Sequence, residues 1–290
     1  YETIWDWEVT KTNQADHERV VKALKNIAAG NDLETYMDID NLLRYMAVHV
    51  FSVNEDSLSG TMAHNYYLYE SDGKLSLIPW DYNLALGGMG GMGGMGGGMP
   101  GGSGETEESS EATSVVNSPI DDAFSGTDFF DTLLENETYH SQYEAYLQQL
   151  VSEYINGGGF DAFYERVRSQ IDELVETDPT AFYSYDEYET AAETLYQVVK
   201  LRGQSIQGQL DGTIPSTEEA QRDSDALIDA SDLDVSVMGT MNMGGGNGAG
   251  GPGGPGGTGE SDGAEPPQFD GNGQAPGKPQ NSENEEETEH

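Results

Sequence analysis

The sequence contains no cysteine, few basic residues and no long apolar run, and each shortage excludes a class of protein or site. Without cysteine there are no disulfides, thiolate metal sites or cysteine nucleophiles. The chain has only 12 Lys and Arg but 53 Asp and Glu, so its formal charge is −41. Such a chain repels phosphate backbones and anionic headgroups, so nucleic acid is a poor partner. No apolar run reaches the roughly 20 residues that span a bilayer, so no membrane span is expected in this chain.

Large apolar side chains are also scarce, and the shortage is concentrated in two segments. Residues 87–114 begin as a Gly/Met tract and continue as an acidic, serine-rich stretch, which is typical of a flexible insertion. Thioethers are ligands for Cu(I), but glycine offers no scaffold that would hold these methionines in place. Residues 231–290 are rich in glycine, proline and acid, and we expect a disordered tail there.

The remaining residues, 1–86 and 115–230, have the apolar periodicity of a folded protein. The spacing predicts a helix capped by Asp16, followed by a buried helix that begins after Asp38 or Asp40. Helical spacing returns later in the chain, at about 127–156, 159–176 and 184–211.

A β-hairpin is predicted between the buried helix and the insertion. Residues 64–70 and 75–78 have strand propensity, and Ser71-Asp72-Gly73-Lys74 between them has the composition of a turn. Gly73 suits the positive φ that a tight turn requires. We therefore expect an α+β fold that is mostly α-helical, with one hairpin.

The residues with the clearest chemistry lie around this hairpin. Asp56 follows the buried helix, Asn65 opens the hairpin and Asp81 follows it. A hairpin brings its two ends together, so we expect Asn65 and Asp81 to be close, with the loop of Asp56 within reach. Phosphoryl transfer needs one carboxylate to accept the proton of the attacking hydroxyl, and a second carboxylate with an amide oxygen to hold Mg²⁺. Protein kinases have this order of groups, although Trp80-Asp81-Tyr82-Asn83 stands here where Asp-Phe-Gly is usual.

Longer runs of the sequence resemble the CotH kinase family, which is named for a spore-coat protein. The core of the resemblance is YMDIDNLLRYMAVHVFSVNEDS with HNYYLYESDGKLSLIPWDYNLALG, and NSPID and residues 178–217 resemble C-terminal parts of the family. The resemblance covers roughly 1–86 and 115–217. It implies the C-terminal catalytic lobe of a protein-kinase-like fold. It also implies a secreted, surface or spore-coat protein that uses ATP and Mg²⁺ to phosphorylate Ser or Thr of coat or surface proteins.

The resemblance also implies roles for individual residues. Asp56 takes the role of catalytic base, and Asn65 and Asp81 are the ligands of Mg²⁺ and thereby of ATP. Glu55 departs from the pattern, because an apolar or aromatic residue is expected beside the base. No Gly-rich phosphate loop and no strand-borne Lys precede Tyr1, so we expect that this chain lacks the N-terminal lobe and is a poor catalyst alone.

Other interpretations remain open from the sequence. Asp56 also fits a turn or helix cap, Asn65 an Asx turn and Asp81 a strand-end cap, and His64 is expected to bond a backbone carbonyl. A non-catalytic surface or coat protein with the same fold is the main alternative, favoured by the insertion, the acidic tail and Glu55. A metal-dependent phosphohydrolase would also use clustered carboxylates, but usually with more His or Asp ligands than this stretch offers.

Overall fold

The computed structural model describes residues 2–60, 63–88, 111–124 and 128–239, which belong to one compact unit. Its helices, in chain order, are α1 (Glu2–Trp5), α2 (Gln14–Ala28), α3 (Leu33–Tyr36), α4 (Ile39–Ser52), α5 (Glu111–Asn117), α6 (Asp128–Leu134), α7 (Glu137–Gln149), α8 (Gly159–Thr177), α9 (Tyr185–Leu210) and α10 (Glu218–Gln221). A π-helical turn, Leu150–Ile155, continues α7, and a 3₁₀ turn, Val235–Met238, ends the described part.

The strands β1 (Tyr66–Ser71) and β2 (Lys74–Pro79) lie between α4 and α5. They pair as the antiparallel hairpin that the sequence predicts, with Tyr66 opposite Pro79 and Ser71 opposite Lys74. Gly73 has φ +86°, the left-handed conformation that the turn requires and that glycine adopts without a steric cost. The predicted class, an α+β fold that is mostly helical with one hairpin, is confirmed for the described part of the chain.

Helix caps agree with the sequence at some ends and differ at others. Asp38 caps α4 as predicted, with its side chain accepting from the Asn41 N–H. The prediction that Asp16 caps the first long helix is wrong, because Asn13 is the cap and Asp16 completes its capping box from the third helical position. The helical spacing over 127–156 is interrupted, since Asn136 caps a new helix within it.

Two hydrophobic clusters hold the elements together. In the first, α4 packs against β2 and α7, which bury its apolar side chains on most of its circumference. The fully buried members of this cluster are Ala23, Leu42, Leu43, Met46, Leu75, Tyr143, Leu147, Val151 and Ile206. Each large side chain of this kind contributes about 1.5–3 kcal/mol when it leaves water. The helix before the candidate site is therefore a rigid support.

The second cluster forms where α9 meets α5, the π-helical turn and the 3₁₀ turn. Its buried residues include Val116, Ile155, Val198 and Val235. Within the described residues, no helix is long and apolar enough to cross a membrane.

The ordered part extends further than the predicted boundaries of the insertion and the tail. Helix α5 begins at Glu111, inside the segment 87–114 that the sequence interprets as an insertion. The predicted tail begins at residue 231, but residues 231–239 are described and Val235 is buried against α9. The rest of both predictions, 89–110 with its methionines and 240–290, lies outside the described residues.

Candidate active site

The hairpin is fixed to α4 by hydrogen bonds to the backbone of β2. The side-chain amide of Asn41, in the first turn of α4, donates to the Leu77 carbonyl at 3.1 Å and accepts from the Leu77 N–H at 2.8 Å. The Asp38 N–H donates to the Leu75 carbonyl at 2.8 Å. Leu75 and Leu77 point into the core between these bonds. The position of the hairpin relative to the helix is therefore set at two successive inward-facing residues.

Both ends of the hairpin return to the same region. The Trp80 N–H donates to the Asn65 carbonyl at 3.0 Å, which continues the strand pairing by one residue beyond Tyr66 and Pro79. Further on, the Leu86 N–H donates to the carbonyl of Ser52, the last residue of α4. The segment after the hairpin thus lies against the helix end from which the loop of Asp56 departs.

That loop, residues 53–60, is anchored to α4 by buried polar side chains. His49 Nδ1 lies 2.7 Å from Ser57 Oγ, and Ser57 Oγ donates to the Asn54 carbonyl at 2.9 Å. One turn earlier on the helix, Tyr45 Oη lies 2.9 Å from Ser59 Oγ and accepts from the Ser59 N–H at 3.0 Å. Buried hydrogen bonds of this kind favour one loop conformation, because any other leaves polar groups without partners.

The protonation state of this anchor follows from its burial. Removal from water disfavours the charged imidazole and lowers the pKa of His49 to about 4, so His49 is neutral at neutral pH. Because the Ser57 hydroxyl gives its proton to Asn54, the His49 Nδ1–H is the donor to Ser57. Nearby, burial raises the pKa of Tyr82 to about 12, and its buried hydroxyl has no hydrogen-bond partner among the described residues.

Gly60 closes the loop by a close approach of two backbone segments. A Cβ on Gly60 would lie 2.2 Å from the carbonyl oxygen of Glu55. This distance is far below van der Waals contact, and the opposing atom belongs to the backbone, so it cannot move aside as a flexible side chain would. Only glycine fits here, and the tight fold of the loop sets the direction in which Asp56 leaves the chain.

A fully buried arginine holds the end of α4 from the other side. The Arg202 guanidinium donates to the carbonyls of Val50 at 2.8 Å, Val116 at 3.1 Å and Ser118 at 2.6 Å, with a longer bond of 3.4 Å to Phe51. Within the described residues, all its acceptors are backbone carbonyls at or just after the C-terminal ends of α4 and α5, where the helix dipole is negative. Burial lowers the pKa of Arg202 to about 9, which leaves it mostly protonated at neutral pH.

The structure brings two of the three predicted site residues into contact. Asn65 Nδ2 donates to Asp56 Oδ2 at 2.7 Å and to the Asp56 carbonyl at 2.9 Å. Asp56 is 9% exposed, and its other oxygen, Oδ1, lies 3.5 Å from His64 Nδ1. Among the described residues, the Asp56 carboxylate is the ion-pair neighbour of His64, and the expectation that His64 bonds a backbone carbonyl stays a prediction.

Asp81 lies near this pair in the fold but does not bond to it. It follows Trp80, whose N–H closes the hairpin onto Asn65, and its side chain is exposed. Both Asn65 and Asp81 have the left-handed backbone conformation, with φ +57° and +58°. Asn and Asp tolerate this conformation better than most residues. No hydrogen bond or ion pair joins the Asp81 carboxylate to another described residue.

The donor set fits a magnesium ion. Both acceptors facing the Asn65 amide belong to Asp56, so the NH₂ group must face them and the amide oxygen points elsewhere. That oxygen has no partner in the described part of the chain, and neither has the Asp81 carboxylate. Magnesium takes hard oxygen ligands, usually from one or two protein groups together with phosphates. Asn65 and Asp81 therefore offer oxygens of the kind that Mg²⁺ prefers, and their role as its ligands stays a prediction.

The family of the chain follows from its match to a protein-family model. A family model described as CotH kinase protein matches residues 1–206. The chain belongs to the CotH kinase family. The match includes the loop of Asp56, the hairpin and Arg202, and it confirms the resemblance read from the sequence. Membership indicates a kinase-like protein, and in general the use of ATP and a divalent metal. A search of curated proteins finds no match to this chain.

The residues that support this CotH-family site were not predicted from the sequence. Tyr45 and His49 lie four residues apart in the buried part of α4, so they share the face that meets the loop. This spacing is the signal that identifies them. Their partners Ser57 and Ser59 lie two residues apart in the loop of Asp56. Arg202 gives no comparable signal, because its acceptors are carbonyls distant in sequence.

The clearest cavities of the CotH-family chain do not contain these residues. A cavity of about 520 Å³ lies against α2, with Trp5, His17, Lys22 and Lys25 in its wall, and a smaller one lies between α2 and the hairpin turn. Asp56, Asn65 and Asp81 line neither cavity. They lie instead beside the open end of the hairpin, where Asp81 is exposed, Asn65 is partly exposed and Asp56 is buried.

Proposed function

We propose that this protein is an atypical protein Ser/Thr kinase, whose described part is a kinase-like C-terminal lobe. In this proposal it transfers the γ-phosphoryl group of ATP to Ser or Thr of spore-coat or surface proteins, outside the cytoplasm. The observation that carries the proposal is the contact of Asn65 with Asp56, which leaves an amide oxygen and the Asp81 carboxylate available for a metal. Family membership supports it.

Asp56 acts as the base in this proposal. Its Oδ2 is occupied by Asn65, and Oδ1 accepts the proton of the substrate hydroxyl. The hydroxyl oxygen forms a bond to the γ-phosphorus while the bond from that phosphorus to the β–γ bridging oxygen breaks, and ADP leaves. Asn65 and Asp81 would hold Mg²⁺, which supplies neutralisation of the phosphate charge when bound. The neutral anchor of His49 and Tyr45 keeps the loop, and with it the base, in position.

The test is phosphate transfer from labelled Mg-ATP to a protein acceptor, by the protein as its gene encodes it. Asp56→Asn should lower kcat by about 10²–10⁴-fold, because it removes the base and keeps the shape. Asp81→Asn should raise the Mg²⁺ concentration for half-maximal activity by about 10–100-fold, as loss of metal-site groups commonly does. Asp72→Asn is the matched control, since Asp72 is exposed and has φ +53° but lies at the hairpin turn.

A non-catalytic binding protein with this fold is the second candidate. It is favoured by the outward face of the hairpin, where Tyr67, Tyr69, Ile78 and Trp80 are about half exposed and Tyr67 stacks on Trp80. Exposed apolar patches of this kind are typical of interaction surfaces. No label transfer, together with no Mg-ATP binding by calorimetry, would exclude the kinase and leave this alternative. Equal activity of the parent and Asp56→Asn would exclude the role of Asp56.

A further inference from the structure

A second group of potential metal ligands lies on α7. Asp121, His140 and Glu144 each offer one ligand atom within 4.8 Å of the atoms offered by the other two. His140 and Glu144 are four residues apart on the helix, and Asp121 comes from the segment after α5. His140 Nε2 lies 3.5 Å from Asp121 Oδ1, and its Nδ1 lies 3.7 Å from Glu144 Oε2. None of these residues takes part in the proposed phosphoryl transfer.

One oxygen of this group is buried without a hydrogen bond. Asp121 Oδ2 accepts from the Ser216 hydroxyl, whereas Oδ1 is inaccessible to solvent, faces His140 Nε2 at 3.5 Å and accepts no hydrogen bond from a described residue. A buried carboxylate oxygen that lacks a partner loses its hydration without compensation, so such atoms are rare unless something else satisfies them. A cation between Asp121 and His140 would satisfy it.

The spacing between α7 and Asp121 is fixed by buried hydrogen bonds. Tyr143, on the same helix between the two ligands, is fully buried and donates to the Ile120 carbonyl at 2.8 Å. The N–H groups of Ile120 and Asp121 both donate to the Ser216 carbonyl, at 3.2 and 3.1 Å. The Gln209 side chain also accepts from the Ile120 N–H, at 3.1 Å. These bonds fix the backbone of Asp121 relative to α7, the helix that carries His140 and Glu144, and such support favours a preorganised site.

We propose that Asp121, His140 and Glu144 bind a first-row divalent cation of the zinc type, at a site separate from that of Asn65 and Asp81. Metal–ligand bonds of about 2.0–2.1 Å at tetrahedral angles place neighbouring ligand atoms about 3.4 Å apart. The observed separation of 3.5 Å between His140 Nε2 and Asp121 Oδ1 agrees with that value. An imidazole ligand favours zinc over magnesium or calcium, which prefer oxygen alone.

Three protein ligands leave a coordination position for water, so the ion would be exchangeable. Binding it would join α7 to the segment after α5, and α7 packs directly on α4, the helix that precedes the loop of Asp56. A ligand that binds only the folded state stabilises it in proportion to the logarithm of its concentration over Kd. Zinc should therefore raise the Tm of the protein. The competing account is a protonated His140 that forms ion pairs with both carboxylates and binds no metal.

The experiment is titration of the chelator-treated full chain with ZnCl₂, followed by calorimetry. Excess Mg²⁺ and NaCl in the buffer suppress diffuse binding by the acidic surface. The parent should bind one zinc ion tightly. His140→Ala and Glu144→Gln should each weaken this binding at least about tenfold and remove the zinc-dependent rise in Tm. Glu137→Gln, on the same helix but outside the group, and Asp81→Asn should leave both unchanged.

The other outcomes overturn the proposal. Zinc binding that survives His140→Ala and Glu144→Gln would show diffuse binding by acidic groups, and binding lost only in Asp81→Asn would place the ion at the candidate active site. No stoichiometric binding by the parent would favour the ion-paired His140. Circular dichroism of each variant establishes whether it is folded. If His140→Ala does not fold, Glu144→Gln still tests the proposal, because Glu144 is partly exposed and its substitution should not prevent folding.

Discussion

The neutral, buried state of His49 makes the stability of this protein depend on pH in a way that one substitution should remove. Its ring nitrogen Nδ1 donates to Ser57, and burial alone lowers its pKa to about 4 from a model-peptide value of 6.5. Above about pH 6.5, neither the folded nor the unfolded state carries a proton on His49, and it imposes no penalty. As the pH falls from 6.5 to 4, the unfolded state binds the proton and the folded state does not, so stability is lost over this window.

The size of the effect follows from the width of the window. Each pH unit between the two pKa values costs about 1.4 kcal/mol of unfolding free energy. Lowering the pH from 7.5 to 5 should therefore cost about 2 kcal/mol through His49 alone, and about 3 kcal/mol is lost by pH 4. Against a total stability of about 5–15 kcal/mol, this loss is readily measurable.

The assay is urea denaturation followed by circular dichroism at several pH values, with His49→Asn as the comparison. The amide of Asn has a donor close to the position of the imidazole Nδ1–H, so the bond to Ser57 is kept while the titration is removed. The many carboxylates titrate equally in both proteins and cancel in the difference. The parent should lose about 2 kcal/mol more than His49→Asn between pH 7.5 and 5. Parallel pH profiles of the two proteins would refute a neutral, buried His49.

Three further substitutions test the supports of the site by urea denaturation. Arg202→Lys keeps the positive charge but loses the guanidinium group, so buried carbonyls lose their hydrogen bonds. The free energy of unfolding should fall by about 2–4 kcal/mol, and a fall below about 1 kcal/mol would contradict the contacts described. Gly60→Ala places a Cβ against the Glu55 carbonyl, so the free energy of unfolding should fall by about 1–3 kcal/mol and phosphate transfer should be lost with it. An unchanged stability would show that the loop can change its conformation without a cost. Arg19→Gln removes a bidentate but solvent-screened pair with Glu70, so it should lower stability only slightly, and less in high salt. A loss as large as that of Arg202→Lys would indicate a stronger link between α2 and the hairpin.

Local patterns were sufficient for the hairpin and for the buried helix α4. Turn residues around Gly73 and the apolar circumference of α4 act over a few neighbouring positions, so a single sequence reveals them. The start of α2 was misplaced because Asn13 and Asp16 are both good caps and belong to one capping box. The order of residues 231–239 was missed because Val235 is buried by the distant helix α9, and no local pattern records that contact.

The candidate site, like the fold, could be predicted from the sequence only in part. Asp56, Asn65 and Asp81 were found because their order around a hairpin matches a chemical requirement, and the structure joins the first two. It does not join Asp81 to them, and the roles of all three remain predictions. The groups that hold the loop were not found, because the bonds of Arg202 run to backbone carbonyls, which every residue possesses.

The charges of the protein explain why the loop of Asp56 is held by neutral groups. The chain carries a formal charge of −41, and further acidic anchors around Asp56 would add to the repulsion that the proposed nucleotide substrate would have to overcome. His49, which burial keeps neutral near pH 7, and the hydroxyl groups of Tyr45, Ser57 and Ser59 hold the loop by hydrogen bonds rather than by carboxylates. The one fully buried charge at the base of the loop, Arg202, is positive and compensates helix carbonyls rather than carboxylates. Within the described residues, no Lys or Arg forms an ion pair with Asp56 or Asp81, or a side-chain hydrogen bond with Asn65. In the proposed reaction, the charge of bound phosphates would have to be balanced by a metal ion or by groups outside the described part.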